Sequence, residues 1–229
     1  MTNIEDYRFE TKFNIKNAIL SDVEYQLKTH PKIFSRIHEC RFVNNIYFDT
    51  LNMDNYHDNV DGLSDRIKVR IRWYGDLFGF IERPTLEIKI KKGGLGRKIS
   101  IPINSFLFDN NISIKYMEDM INNSIIPIYI REIIRFVRPT LINRYRRVYY
   151  LSADGIFRAT LDNSQQFYKF SYGYNTFVES VKINNIILEV KYNYSARSMA
   201  PSVINGFLFR VTKNSKYVNG IELLNQVYA

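Results

Sequence analysis

The sequence predicts an α+β protein: an antiparallel β barrel with charged side chains turned into a basic lumen and amphipathic helices packed outside. Three observations carry that prediction. Segments along much of the chain alternate charged and apolar residues with the period of a strand. Their charged sides are rich in Arg, where a solvated sheet face would mix in Ser, Thr, Gln and Asn. Two further stretches show helical spacing with an apolar face.

At the N-terminus Arg8, Glu10 and Lys12 alternate with Tyr7, Phe9 and Thr11, which predicts a first strand. From Asn14 to Lys28, Ile15, Ile19, Leu20, Val23 and Leu27 recur at helical spacing and Pro31 follows, which predicts an amphipathic helix. In Arg66-Ile67-Lys68-Val69-Arg70-Ile71-Arg72 four cations share one strand face and three β-branched residues the other. Leu86-Glu87-Ile88-Lys89-Ile90-Lys91 repeats the parity. The run from Lys91 through Gly93, Gly94 and Gly96 to Lys98 lacks the spacing of a phosphate-cradling loop and reads as a hairpin turn. Lys98 then opens a strand with Ile99 and Ile101 on the opposite side.

A helical region runs from Tyr116 to Val137, interrupted at Pro127 and ended by Pro139. Arg144, Arg146 and Arg147 among Tyr145, Tyr149 and Tyr150 read as a strand with an Arg face. A single-stranded nucleic-acid patch is the other reading of those residues, but no known nucleic-acid motif accompanies it, and nucleic acid is not an expected partner. Phe157-Arg158-Ala159-Thr160-Leu161-Asp162 and Leu188-Glu189-Val190-Lys191 continue the alternation, and Lys213-Asn214-Ser215-Lys216-Tyr217 reads as a solvated loop.

Composition narrows the class. The 229 residues hold 32 Lys and Arg against 23 Asp and Glu, a formal net charge of +9. With 45% hydrophobic and 15% aromatic residues the chain can bury a core, and 10 Gly with 6 Pro exclude collagen-like or linker-dominated architectures. No repeat or low-complexity linker divides residues 1–229, so one continuous domain is expected. Glu5 and Asp6 stand where a secretory signal would carry Lys or Arg, and Arg131, Glu132 and Arg135 break the most apolar stretch. Neither a signal peptide nor membrane insertion is expected. Cys40, the only cysteine, reads as a small buried apolar side chain and suits a reducing, cytoplasmic location. His30, His38 and His57 lack metal-ligand spacing and read as structural or surface residues.

A lumen lined with like charges repels itself unless an anion or compensating acids occupy it. Glu10, Glu87 and Glu189 are acids at matching strand positions. Carboxylates beside a cationic field can hold a divalent cation, the usual companion of polyphosphate, and a guanidinium takes two phosphate oxygens at once. The chemistry predicted is a chain of phosphates in a basic tunnel with a metal at one end.

Several segments stand in a telling order: Asn45-Ile46-Tyr47-Phe48-Asp49-Thr50 with Tyr56 beyond, Val69-Arg70-Ile71-Arg72-Trp73-Tyr74-Gly75, and Glu87-Ile88-Lys89. Arg138-Pro139 with Asn143-Arg144 come next, then the segments at Phe157–Asp162 and Leu188–Lys191, and Ser215-Lys216-Tyr217. Together, over nearly the whole chain, they resemble the polyphosphate polymerase domain of the vacuolar transporter chaperone (VTC) type, a branch of the triphosphate tunnel metalloenzymes. The resemblance implies the triphosphate tunnel fold, ATP and inorganic polyphosphate as bound species, and Mn²⁺ or Mg²⁺ as cofactor. The activity it implies is transfer of the γ-phosphoryl group of ATP to a growing chain.

Carried over by that resemblance, Arg70, Arg72, Lys89, Arg144 and Arg158 are the catalytic phosphate ligands. Lys98, Lys12, Ser215 and Lys216 are further contacts, and Glu189 is the metal-binding carboxylate. Arg66 and Lys191, on the same charged faces, join the phosphate-binding candidates, and Glu10 joins the metal candidates. Many tunnel enzymes carry Glu-x-Glu-x-Lys in the N-terminal strand, whereas this chain has Arg8-Phe9-Glu10-Thr11-Lys12. A cation in place of the first Glu favours the polymerase branch over the hydrolases. The alternatives are a tri- or polyphosphatase on the same fold and a non-catalytic module that binds polyphosphate or inositol phosphates. A membrane-protein partner and the oligomeric state stay open.

Overall fold

The computed structural model describes residues 8–93, 95–171, 175, 177 and 180–228. Its strands are β1 (Arg8–Ile15), β2 (Phe34–Asp49), β3 (Arg66–Tyr74), β4 (Gly79–Ile81), β5 (Thr85–Lys92), β6 (Leu95–Pro102), β7 (Phe106–Phe108), β8 (Arg138–Ser152), β9 (Arg158–Lys169), β10 (Val181–Ile183) and β11 (Ile186–Asn193). Nine of them form one sheet in the order β1-β11-β9-β8-β2-β3-β5-β6, with β10 on β9, while β4 and β7 pair separately. The ladders β1–β11, β11–β9, β2–β3, β3–β5 and β5–β6 are all antiparallel. The helices are α1 (Leu20–Thr29), α2 (Asp54–Val60), α3 (Ile114–Asn122), α4 (Ile128–Ile134), α5 (Ala200–Asn205) and α6 (Lys216–Tyr228). A large antiparallel sheet with separate helices is the α+β class that the alternation predicts.

The chain gathers into two compact units that are interleaved in sequence. The first takes the described residues of Met1–Arg41, Tyr145–Gln165 and Ile183–Asn214, the second those of Phe42–Arg144, Gln166–Lys182 and Ser215–Ala229.

In the second unit strand parity builds the core. Val69 pairs with Ile88 and Ile71 with Leu86, so their side chains share one face and are buried together with Ile46, Phe48 and Trp73. Met117, Met120 and Ile121 of α3 and Ile130 of α4 join the same core. Each such side chain contributes about 1.5–3 kcal/mol when fully buried. The opposite face of these strands is left to the charged residues.

The first unit repeats the arrangement. Phe13 pairs with Leu188 and Leu188 with Leu161, and these three are buried with Val23 and Leu27 of α1 and Ala200 and Val203 of α5. His30 is structural, as its spacing suggested. Its ring lies 2.9 Å from the Val203 carbonyl through Nε2 and accepts the Lys32 N–H through Nδ1. A Cβ at Gly206 would stand 2.5 Å from that ring, so the helix end needs glycine there.

Three local expectations change. The first helix starts at Leu20, not Asn14, because Asn14 and Ile15 complete β1 opposite Ile187 and Ile186. Asn17, with φ of 54°, turns the chain out of the strand. Ile15 fits both periods, and its burial against β11 decides for the strand. The polar run from Lys213 is a loop only as far as Ser215, since Lys216 and Tyr217 open α6. Cys40 is half-buried rather than buried, its sulfur accepting hydrogen bonds from Arg146.

The break at Pro127 is as expected and separates α3 from α4. Gly93, with φ of 55°, turns β5 into β6, and Gly94 lies outside the described residues. Among the described residues no helix is long and apolar enough to cross a membrane.

Candidate functional site

The charged face of the second unit is laid out by register. Arg70 lies across from Tyr47 on β2 and from Glu87 on β5, and Glu87 in turn across from Ser100 on β6. Arg72 lies across from Asn45 and Thr85. Arg70 grips Glu87 through Nε at 2.8 Å and Nη2 at 2.6 Å. Arg72 Nη1 stands 3.5 Å from the same carboxylate, and Lys98 Nζ reaches its other oxygen at 2.5 Å. Asn45 Oδ1 accepts from Arg72 Nε at 3.0 Å and the Tyr47 hydroxyl from Arg70 Nη1 at 3.3 Å, which holds both guanidiniums in place.

Three cations thus converge on one carboxylate that is only 6% exposed. Burial on its own would raise the pKa of Glu87, but Arg70, then Arg72 and Lys98, outweigh it and bring the value to about 2. Lys98 is also lowered, first by burial and then by Arg72 and Arg70, against the pull of Glu87. An ammonium bonded to a carboxylate ordinarily rises. Here burial outweighs the carboxylate, and the two neighbouring guanidiniums add to the fall.

Below this group, Lys68 Nζ donates to Ser215 Oγ at 3.0 Å, which also accepts from Asn59 Nδ2 at 3.1 Å. Ser215 caps α6, taking the Val218 N–H at 3.4 Å, and Lys216 beside it is buried. The helix is tied down by Tyr217, whose hydroxyl donates to Asp49. Asp49 also accepts the backbone N–H groups of Thr50, Asn55 and Tyr56 at 2.8–2.9 Å, anchoring the start of α2. That network accounts for the segment from Asn45 to Thr50 with Tyr56 beyond: the aspartate binds two helices. Burial and then Asp49 push the Tyr217 pKa up, so the phenol stays a donor.

The remaining predicted residues of this unit are more scattered. Lys89 is exposed, across from Lys68 and Lys98, and Arg66 donates to the Leu63 carbonyl at 3.3 Å. Arg144 is not brought to the Arg70 group. Its guanidinium stacks on Phe42 at 3.9 Å, and it shares strand parity with Ile142 of the apolar core.

The first unit carries a second charged face of different balance. Arg147 grips Asp162 through Nε at 2.5 Å and Nη2 at 2.6 Å, and reaches Glu189 at 3.5 Å. Lys191 Nζ stands 3.1 Å from Glu189 and 4.0 Å from Glu10, and Lys12 Nζ 2.8 Å from Glu10 and 3.5 Å from Glu189. Burial would lower the Arg147 pKa, but Asp162 and Glu189 hold it well above the ordinary value. Arg158, exposed, pairs in register with Lys191.

Arg147 is the residue that sequence reasoning missed. Arginines at 144, 146 and 147 occupy both parities of β8, and only the tertiary contact with Asp162 shows which one joins the acids.

The residues fit a hard divalent cation of limited protein ligation. Glu10 and Glu189 offer carboxylate oxygens, with the Lys12 and Lys191 ammonium groups now lying against both. Across the ladder from Glu189 lies Thr160, whose buried hydroxyl has no hydrogen-bond partner and is a further oxygen donor. Among the described residues no group of three His, Cys, Asp or Glu is placed to hold a metal. An ion here would complete its shell with water and phosphate oxygens, as Mg²⁺ commonly does.

A family model described as the VTC domain matches residues 7–225. The fold recurs in solved structures of low sequence identity. A protein from Pyrococcus horikoshii OT3 has a TM-score of 0.50 at 14% identity, covering 96% of this chain and 99% of its own. A Vibrio parahaemolyticus protein described as a candidate adenylate cyclase has a TM-score of 0.52 at 12% identity, covering 96% and 98%. No curated protein matches the sequence.

Proposed function

The chain belongs to the VTC domain family, and on that premise we propose that it transfers the γ-phosphoryl group of ATP to the end of an inorganic polyphosphate chain. The observation that carries this reading is the convergence of Arg70, Arg72 and Lys98 on the single carboxylate of Glu87. Such a cluster of cations suits phosphate oxygens, and two of the three are guanidiniums that bind them in pairs.

In the reaction a terminal oxygen of the polyphosphate attacks the γ-phosphorus of ATP. The bond from that phosphorus to the β,γ-bridging oxygen breaks, and ADP leaves with the bonding pair. Arg70 and Arg72 orient the donor phosphates, steadied by Tyr47 and Asn45, and neutralise charge on the transferred group. Lys98 and Lys89 extend the cationic row, and Lys68, Ser215 and Lys216 supply donors at the start of α6. Arg158, Lys191 and Lys12 are the phosphate contacts of the first unit. Glu189 and Glu10 hold Mn²⁺ or Mg²⁺, which when bound supplies a Lewis acid for phosphate oxygens. Arg147, 3.5 Å from Glu189, holds that carboxylate in position.

The test is incubation with ATP and Mn²⁺ and separation of the products by gel electrophoresis. Long phosphate chains are expected, with Arg70→Ala slower by about 10²–10³-fold, the usual cost of one preorganised donor. Orthophosphate without chain growth would reassign the protein as a phosphatase. Tight polyphosphate binding without turnover would make it a binding module.

A further inference from the structure

We propose that the open edge of β2 from Ser35 to Arg41 is a docking site for an extended acidic segment of another protein, which adds to the sheet as a strand. The β2–β3 ladder pairs residues from Val43 to Phe48, and the Phe42 carbonyl takes the Gly75 N–H at 3.2 Å. Toward the start of β2, no described strand continues that side of the sheet. Residues 35–39 and 41 are exposed. Backbone direction alternates along a strand, so the N–H and C=O groups of Arg36, His38 and Cys40 point the same way as those of Phe42, toward the open side. The His38 carbonyl accepts instead from the side chain of Arg36, at 3.2 Å from Nε, a substitute for the missing neighbour. Long open edges are uncommon because they invite pairing.

Charge selects the partner. On one face Arg146 stands 3.2 and 3.0 Å from Cys40 Sγ through Nε and Nη2, and Arg36 shares the parity of Cys40. On the other face Arg41 stacks over Tyr149 at 4.9 Å. The single acid of the segment, Glu39, points into solvent and lies 3.9 Å from Arg36. A polyanion laid flat on either face meets only part of this set. An added strand sends alternate side chains to both faces, so its carboxylates reach all three arginines while its backbone completes the ladder. A second copy of this chain would bring the same cations against themselves.

Cys40, the only cysteine, reports on the edge. The hydrogen bond from Arg146 lowers its thiol pKa, which favours alkylation near neutral pH. The probe is a blocked heptapeptide Val-Glu-Glu-Val-Glu-Glu-Val, whose Glu side chains fall on both faces of a strand, compared with a peptide of equal charge whose central Val is Pro. At saturation the Glu–Val peptide is expected to slow alkylation of Cys40 by iodoacetamide by about tenfold or more and to protect the Arg36, His38 and Cys40 amides from hydrogen exchange. Arg36→Glu, at an exposed position, should abolish both effects. Equal protection by the Pro peptide or by inorganic polyphosphate would overturn strand addition. So would no protection at all, an unaffected Arg36→Glu variant, or protection that grows with protein concentration and needs no peptide, which would make the edge a contact between copies of this chain.

Discussion

Both units present a charged strand face, yet the two faces differ in balance. In the second unit Arg70, Arg72 and Lys98 all meet the carboxylate of Glu87. In the first, Glu10, Asp162 and Glu189 meet Lys12, Arg147 and Lys191. The same alternation built both faces, and the number of acids sets their behaviour. In the second unit burial, helped by Arg72 and Arg70, lowers the proton affinity of Lys98 although a carboxylate holds it. Where the charges balance, a buried arginine gains proton affinity. The first arrangement calls for an external anion. The second neutralises itself and releases a carboxylate only when another cation takes the place of a lysine.

The largest expected effect lies in the balanced face. Arg147→Met leaves Asp162, fully buried, without its bidentate partner, and should cost about 3–5 kcal/mol of stability in urea unfolding. Arg70→Met should cost less, about 1–2 kcal/mol, because Glu87 keeps Arg72 and Lys98. Equal losses would break the comparison.

Acid titration tests the cation-rich face. The folded pKa of Glu87 is depressed from 4.5 to about 2, so its contribution to stability is present above pH 4.5 and is lost as the pH falls toward 2. The integrated difference is on the order of 3 kcal/mol. Urea midpoints measured at pH 7, 4 and 3 should fall more steeply for the native protein than for Glu87→Gln. Parallel curves would mean that the cluster does not depress this carboxyl.

A smaller effect is expected at the anchor of α6. Tyr217→Phe removes one donor to Asp49, which keeps three backbone N–H groups. The loss should be about 1–2 kcal/mol by thermal unfolding. It should also loosen Ser215 and Lys216 and so weaken triphosphate binding, measured by calorimetry, without touching the first unit. Unchanged affinity would separate the helix start from the anion site.

Much of this was legible in the chain. The parity of Arg66–Arg72 and Leu86–Lys91 placed charge opposite core, and the structure keeps that division. Lys98 was expected to open a strand with Ile99 and Ile101 on its opposite side, and its ammonium is bonded to Glu87. The tail was harder to read. Lys213–Tyr217 is polar enough for a loop, and only the Asp49–Tyr217 contact across 168 residues makes its end a helix start. On β8 the arginines offered both parities, and the family resemblance pointed to Arg144 and not to Arg147.

The sequence by itself determined which residues alternate, hence the strands, the class of fold and the presence of a cationic face, because side-chain direction in a strand follows a strict period of two. Tertiary structure decided how many acids each cationic face meets. That number depends on registers between strands, such as Arg70 with Glu87 and Glu189 with Thr160, and the resulting fields sum over neighbours that no local pattern lists.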